Sequence, residues 1–311
     1  MKQFLKTTLA VVLGIIICSI LTVMFFAALV PSGITKPSVP KGAVLTVSNL
    51  TIDEQTRQLP GEFTMGSSFS FKENSTLGIW DAIQAVNRAA EDPNIQFIYL
   101  KPEGIACGMA QLQELRTALE HFRESGKPVV SYLEAASTGS YYLASVADKI
   151  YMSPYTGATY MLTGLSGTLF FAKDLLDRLG VNVQLIRHGK YKAAGEMFIR
   201  SNASSENLEQ NREMITSIWK SMSAQIAASR SISEEELNDA IDNLELALPQ
   251  DFLNHKLCDE LLGREELEKK LCLSIGKEKK SGLSEIITCS DDSKKKQIIN
   301  MISGYKTSPK A

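Results

Sequence analysis

The sequence predicts an α/β protein preceded by one transmembrane helix. Three observations carry the prediction. From residue 43 onward, short runs rich in β-branched residues alternate with longer runs of helical period, the pattern of βαβ units. The chain has 311 residues, 44% of them apolar, which is enough for one large core or two modest ones. An uncharged apolar stretch, residues 9–30, stands apart at the N-terminus.

That stretch follows Lys2 and Lys6. A bilayer needs about 20 apolar residues in a helix. A cleaved signal peptide would carry a shorter apolar region, about 7–15 residues, closed by a small-x-small site. Phe26-Ala27-Ala28-Leu29 fits such a site poorly. The expectation is an uncleaved, single-pass anchor in the cytoplasmic (inner) membrane over residues 9–30. Residues 1–8 then lie in the cytoplasm by the positive-inside tendency, and the remainder on the outer, periplasmic side. Residues 31–42, with Pro31, Gly33 and Pro37, read as a linker.

The elements of the α/β domain, residues 43–274, follow in order. Residues 43–47 read as a strand, and 51–74, rich in Gly, Ser and Gln, as loop. Residues 77–90 carry Leu77, Ile79, Trp80, Ile83, Val86 and Ala90 at helical spacing. A strand over 95–100 precedes a helix over 109–125, which Gly126-Lys127-Pro128 ends. A strand at 129–132, a short helix at 139–146 and a strand at 149–152 come next, stopped by Ser153-Pro154. The pattern then gives a helix at 169–179, a strand at 181–186 and a long helix at 208–229. Shorter helices follow at 234–240, 250–255 and 264–271. Residues 275–311 accumulate Ser, Asp and Lys and read as a polar linker or tail.

Composition excludes several classes. The formal net charge is −2, with acids and bases interspersed, and no basic patch carries interleaved aromatics, so nucleic acid is not an expected partner. The five cysteines show no CxxC or Cys/His spacing, and the three histidines lie far apart. Neither a metal nor a cofactor is expected.

Two stretches carry the chemistry. The first is His188-Gly189-Lys190-Tyr191-Lys192-Ala193-Ala194-Gly195-Glu196. Glycine and small residues allow close backbone packing around Lys192. A buried lysine loses hydration, its pKa falls, and it can accept a proton near neutral pH. The second is Ala135-Ala136-Ser137-Thr138-Gly139-Ser140-Tyr141-Tyr142, a hydroxyl-rich turn feeding a helix. Thr138 reads there as the helix N-cap. As nucleophiles, Thr138, Ser137 and Ser140 would each need a base within hydrogen-bond reach. Tyr141, Tyr142 and Tyr191 read as core, and Trp219 as core or subunit interface. Glu196 is expected to pair with a basic group that the sequence does not single out.

These stretches, with Ala147-Asp148-Lys149-Ile150-Tyr151-Met152-Ser153-Pro154 and Leu175-Leu176-Asp177-Arg178-Leu179-Gly180-Val181, resemble the signal peptide peptidase A family in its long, two-halved form. The resemblance implies spiralled ββα units of the crotonase/Clp-protease type. It further implies a serine–lysine dyad in which the N-terminal half supplies the base and the C-terminal half the serine. Lys192 matches the base, and Thr163-Gly164 a position where a hydroxyl orients that lysine. Thr138 stands where the family's nucleophile would be, and Pro102-Glu103-Gly104-Ile105-Ala106-Cys107-Gly108 replaces the loop that helps form the oxyanion hole. The implied protein is a membrane-anchored serine endopeptidase that degrades cleaved signal peptides or other extended apolar peptides. Its implied partners are membrane lipid, further copies of the chain in a homo-oligomer, and a serine-bearing second half in the same or another chain. The alternative is an inactive assembly or peptide-binding module. An acyl-CoA enzyme on the same fold would need a suitably placed pair of glutamates, which the chain lacks.

Overall fold

The computed structural model describes residues 2–29, 39, 42–55, 76–157 and 160–274. The chain divides into two units, Met1–Ser38 and Val39–Ala311. Most of the expected 31–42 linker, the loop over 56–74 and the tail over 275–311 lie outside the described residues.

In the first unit, helix α1 (Lys2–Leu29) has 28 residues, about 42 Å at ~1.5 Å per residue. Among the described residues, no helix is long and apolar enough to cross a membrane. The anchor over 9–30 therefore rests on the sequence alone.

In the second unit, every strand pair is parallel. The chain order is β1 (Ala43–Asp53), β2 (Leu77–Gly78), α2 (Ile79–Glu91), β3 (Ile95–Ala106), α3 (Met109–Glu124), β4 (Val129–Leu133), β5 (Ala136–Ser137) and α4 (Thr138–Ala144). It continues with β6 (Lys149–Met152), β7 (Tyr160–Met161), α5 (Lys173–Arg178), α6 (Glu196–Ile199) and α7 (Ser205–Arg230). The last elements are α8 (Glu234–Asp242), α9 (Pro249–Asn254), β8 (Glu260–Leu261) and α10 (Arg264–Ser274). The six-stranded sheet runs β2-β1-β3-β4-β6-β8, and β5 and β7 form a second, two-stranded sheet.

Both faces of the main sheet are covered, as parallel sheets require. In β3, Ile98 and Leu100 turn to the larger cluster, which holds Val86 and Ala89 of α2, Leu115, Leu119 and Phe122 of α3, and Tyr141 and Leu143 of α4. Phe97 and Tyr99 turn to the other face, where Leu267, Leu271 and Cys272 of α10 pack on them. This period-2 division of one strand between two clusters fixes its register.

Helix ends follow local chemistry. Gly126, at φ +83°, closes α3 before Pro128. Ser233 and Glu236 form a capping box at the start of α8.

Three expectations are corrected. The β3 strand does not stop at residue 100. Past an irregularity at Asn49 (φ +52°), it pairs again with β1 through Ile105 and Ala106. Gly104 permits this, because a Cβ there would stand 2.3 Å from Asn49 Oδ1. The strand expected over 181–186 is absent, since no neighbouring strand meets it and unpaired strand backbone gains nothing over solvation. The helix expected over 169–179 shortens to α5, which has no buried residue. Between β7 and α7 the chain is an exposed arm, with Phe170 66% and Ile186 96% exposed.

Candidate functional site

Two turns carry the residues singled out above. The first joins β4 to α4. Its backbone is held by Glu103 of β3, whose Oε1 accepts from the N–H groups of Glu134 and Ala135, the latter at 2.6 Å. Burial pushes the Glu103 carboxyl up, against the opposing pull of those two N–H groups. The segment 102–108 is thus not a free loop. It lies in β3 as far as Ala106, and its one carboxylate, Glu103, occupies the amides it faces.

The N-cap of α4 is Ser137, not Thr138. The Ser140 N–H donates to Ser137 Oγ at 3.2 Å, and the Ser137 N–H to Ser140 Oγ at 2.8 Å. The two hydroxyls lie 3.0 Å apart, and Ser140 Oγ also donates to the Ser137 carbonyl at 3.1 Å. The serine three residues into the helix therefore plays the part that Glu or Gln plays in the usual box. Thr138, in the first helical position, donates its hydroxyl to the Thr163 carbonyl and accepts from the Thr163 N–H at 3.2 Å. It laces α4 to the chain leaving β7. Among the described residues, Thr163 Oγ1 reaches the Gly164 carbonyl alone, at 3.4 Å.

Behind this turn α4 is buried. Tyr141 donates to the Leu257 carbonyl at 2.5 Å and Tyr142 to Gln225 Oε1 of α7 at 2.6 Å. Arg116 of α3, 1% exposed, donates to the Tyr142 carbonyl, to Ser145 Oγ at 2.8 Å and to Ser229 Oγ at 2.7 Å. Its Nε sits 3.2 Å from the Glu120 carboxylate, paired by charge though outside hydrogen-bond geometry. Desolvation lowers the Arg116 pKa, and Glu120 opposes that shift.

The second turn carries Lys192, and within one chain its side chain is exposed. The expected water-stripped amine is not found there, because among the described residues no element covers the turn. Among the described residues, no hydrogen bond or ion pair joins Lys192 to Ser137, Thr138 or Ser140. Lys190 lies over the Tyr191 ring at 4.9 Å, and Tyr191, expected in the core, is exposed and donates to Glu209 Oε2 at 3.2 Å. The buried group in this turn is Glu196, at 0% exposure. It pairs with Arg187 and accepts from Ser204 and Asn207.

The structure thus brings Ser137, Thr138, Ser140 and Thr163 together and leaves Lys192 on its own. Arg116, Glu103 and Arg187 were not singled out in the sequence. Nothing in its periodicity marks a nine-residue separation such as Arg187 to Glu196. Trp219 is half-buried and donates to Asn238 Oδ1 at 2.9 Å. Among the described residues, no group of three or more His, Cys, Asp or Glu could hold a metal ion.

A parallel α/β core with a capped hydroxyl turn and an exposed lysine turn defines the class. The family model for peptidase family S49 matches residues 121–275, which include both turns. The chain is 31% identical over 263 residues to "Protease 4" of Salmonella typhi, covering 79% of this chain and 41% of that protein. It is 30% identical over 162 residues to "Protease 4" of Haemophilus influenzae, covering 52% of this chain and 26% of the relative. It is also 30% identical over 182 residues to "Serine protease SPPA, chloroplastic" of Arabidopsis thaliana, covering 58% and 25%. The chain belongs to peptidase family S49, of the signal peptide peptidase A type. Its aligned part spans less than half the length of these relatives.

Proposed function

We propose that this chain is the lysine-bearing half of a membrane-anchored serine endopeptidase that degrades cleaved signal peptides. The observation that carries the reading is Lys192, which lies inside the S49 match on an exposed turn fixed by a buried carboxylate. Lys192 takes the hydroxyl proton of a serine from a second fold copy, in the same or another chain. The alkoxide attacks the peptide carbonyl. Collapse of the tetrahedral intermediate expels the amine, which leaves with the proton, and water then hydrolyses the acyl-enzyme. Thr163 stands as the group that would help orient Lys192 in the assembled site. Extended apolar peptides would bind by adding a strand.

Three features support the assembled form. The exposed Lys192 needs a covering surface before it can shed its water. The arm exposes Phe170, Leu175, Leu179 and Ile186, which suits burial against further copies in a homo-oligomer. The succession β4, β5, α4 has the form of one ββα unit of the crotonase/Clp type. The uncharged stretch 9–30 supports an inner-membrane anchor with the domain on the periplasmic side.

A second reading, a peptide-binding or assembly module without activity, is favoured by one observation. Every hydroxyl of the α4 turn already has a backbone or side-chain partner. Labelling with a fluorophosphonate separates the two. On the half-enzyme reading, label appears only when a serine-bearing half is present, and it sits on that second half and not on this chain. Absence of hydrolysis and label in the mixture would support the module instead.

A further inference from the structure

The lysine turn has almost no apolar anchorage. Tyr191 and Lys192 are exposed, and Gly189 takes φ +97°. What fixes the turn is polar. Arg187 Nη1 donates both to the Lys192 carbonyl at 3.2 Å and to Glu196 Oε1 at 3.0 Å. The same carboxylate accepts from Ser204 Oγ at 2.7 Å, from the Ser204 N–H at 3.0 Å and from Asn207 Nδ2 at 3.2 Å. Ser204 is the N-cap of α7, a 26-residue helix packed on the core. Asn211 Nδ2 donates to Asn207 Oδ1 at 2.7 Å, which turns the Asn207 amide nitrogen toward Glu196. Gly195 completes the fit, since a Cβ there would fall 2.4 Å from Leu185 Cδ1.

We infer that Arg187 and Glu196 are positioning residues for Lys192, forming a strut from the Lys192 carbonyl to the N-terminus of α7. The inference rests on the reading of Lys192 as the base. The Glu196 carboxylate accepts four hydrogen bonds and has no proton to donate, a pattern that an amide does not satisfy. Its full burial on a surface arm has no packing purpose that an apolar side chain would not serve better. The chain therefore accepts a buried charge where it gains the geometry of one turn. Neither residue touches the reacting atoms. Both act by setting the direction in which the lysine leaves the backbone.

Two measurements on the full chain test this. In amide hydrogen exchange, Glu196→Gln and Arg187→Met should each speed exchange at the amides of residues 196, 198 and 200 by about tenfold or more. The amides of β3 and β4 should not change, and Arg187→Lys should stay close to wild type. Unchanged exchange in the turn, or equal acceleration everywhere, overturns the strut. In peptide hydrolysis with a serine-bearing half present, Glu196→Gln should lower kcat by about a hundredfold at constant KM, the cost of a misplaced catalytic group. Should Lys192→Ala abolish hydrolysis while Glu196→Gln keeps its kcat, the strut alone fails. Should Lys192→Ala leave hydrolysis intact, the base assignment falls and takes the strut with it. Arg187, partly exposed, offers a variant that folds even where Glu196→Gln does not.

Discussion

The two turns differ in what their polar groups are used for. At the α4 turn the hydroxyls of Ser137, Thr138 and Ser140 are absorbed in capping and in the lacing to Thr163, over a helix buried at Tyr141 and Leu143. At the lysine turn the buried polar group is Glu196, whose partners brace the backbone and leave the Lys192 head group without a partner among the described residues. A group whose bonds are all made inside the chain serves the fold. A group whose surroundings are rigid but whose own head is unpartnered is available for chemistry with something else.

The largest effect expected on this contrast comes from Arg116, which holds α4 from behind. Arg116→Ala removes its bonds to Tyr142, Ser145 and Ser229 from a dry site and should destabilise the chain by about 3–5 kcal/mol, read by urea unfolding. A loss near zero would mean that α4 does not depend on this buried charge. The lysine turn responds to pH instead. Burial alone would raise the Glu196 pKa, but the bonds from Ser204, Arg187 and Asn207 outweigh it and hold it at about 2 against an ordinary 4.5. The folded-state value is the depressed one. This stabilisation is therefore complete above about 4.5 and is lost as pH falls toward about 2. Unfolding followed across that window should fall less steeply in Glu196→Gln than in wild type, and parallel curves would deny the carboxylate its role.

Smaller changes separate capping from catalysis. Ser137→Ala loses the cap, and Thr138→Val its lacing, each for about 1 kcal/mol of stability by thermal denaturation. Neither should change the rate at saturating peptide by more than about twofold, since on this account neither hydroxyl reacts. The smallest effect on folding belongs to the arm. Ile186→Ser should leave the unfolding free energy within about 0.5 kcal/mol, because the side chain is 96% exposed, yet it should weaken self-association in sedimentation. A large loss of fold stability there would show that the arm packs on its own chain.

The core was legible where periodicity and burial agree. The helical spacing of Ile79, Ile83, Val86 and Ala90 gives α2, of which Ile79 and Val86 are buried while Trp80, read with them, is exposed, and Gly126 before Pro128 gives the end of α3. Legibility failed where a partner decides the outcome. Residues 102–106 contain Pro and Gly and read as loop, but β1 resumes pairing with them past Asn49. Val181, Val183 and Leu185 alternate as a strand would, but among the described residues no strand meets them. Of the candidate site, the hydroxyl turn at the start of α4 was legible from its local motif, while the exposure of Lys192 was not. Arg187 was not, because its tie to Glu196 crosses a turn of no fixed period. The capping role of Thr138 fell one residue off, since Ser137 can make the same bond and its extended backbone (φ −107°, ψ 164°) suits the cap position.

The most direct test is hydrolysis of an apolar peptide ester by the full chain in the presence of a serine-bearing half. Lys192→Ala is compared there with a triple variant that carries Ala at positions 137, 138 and 140. The account predicts that kcat falls by about 10²–10⁴-fold in Lys192→Ala, while the triple variant, once its folding is verified, keeps its rate. A Lys192→Ala chain as active as wild type, or a triple variant that is folded and inactive, would contradict it.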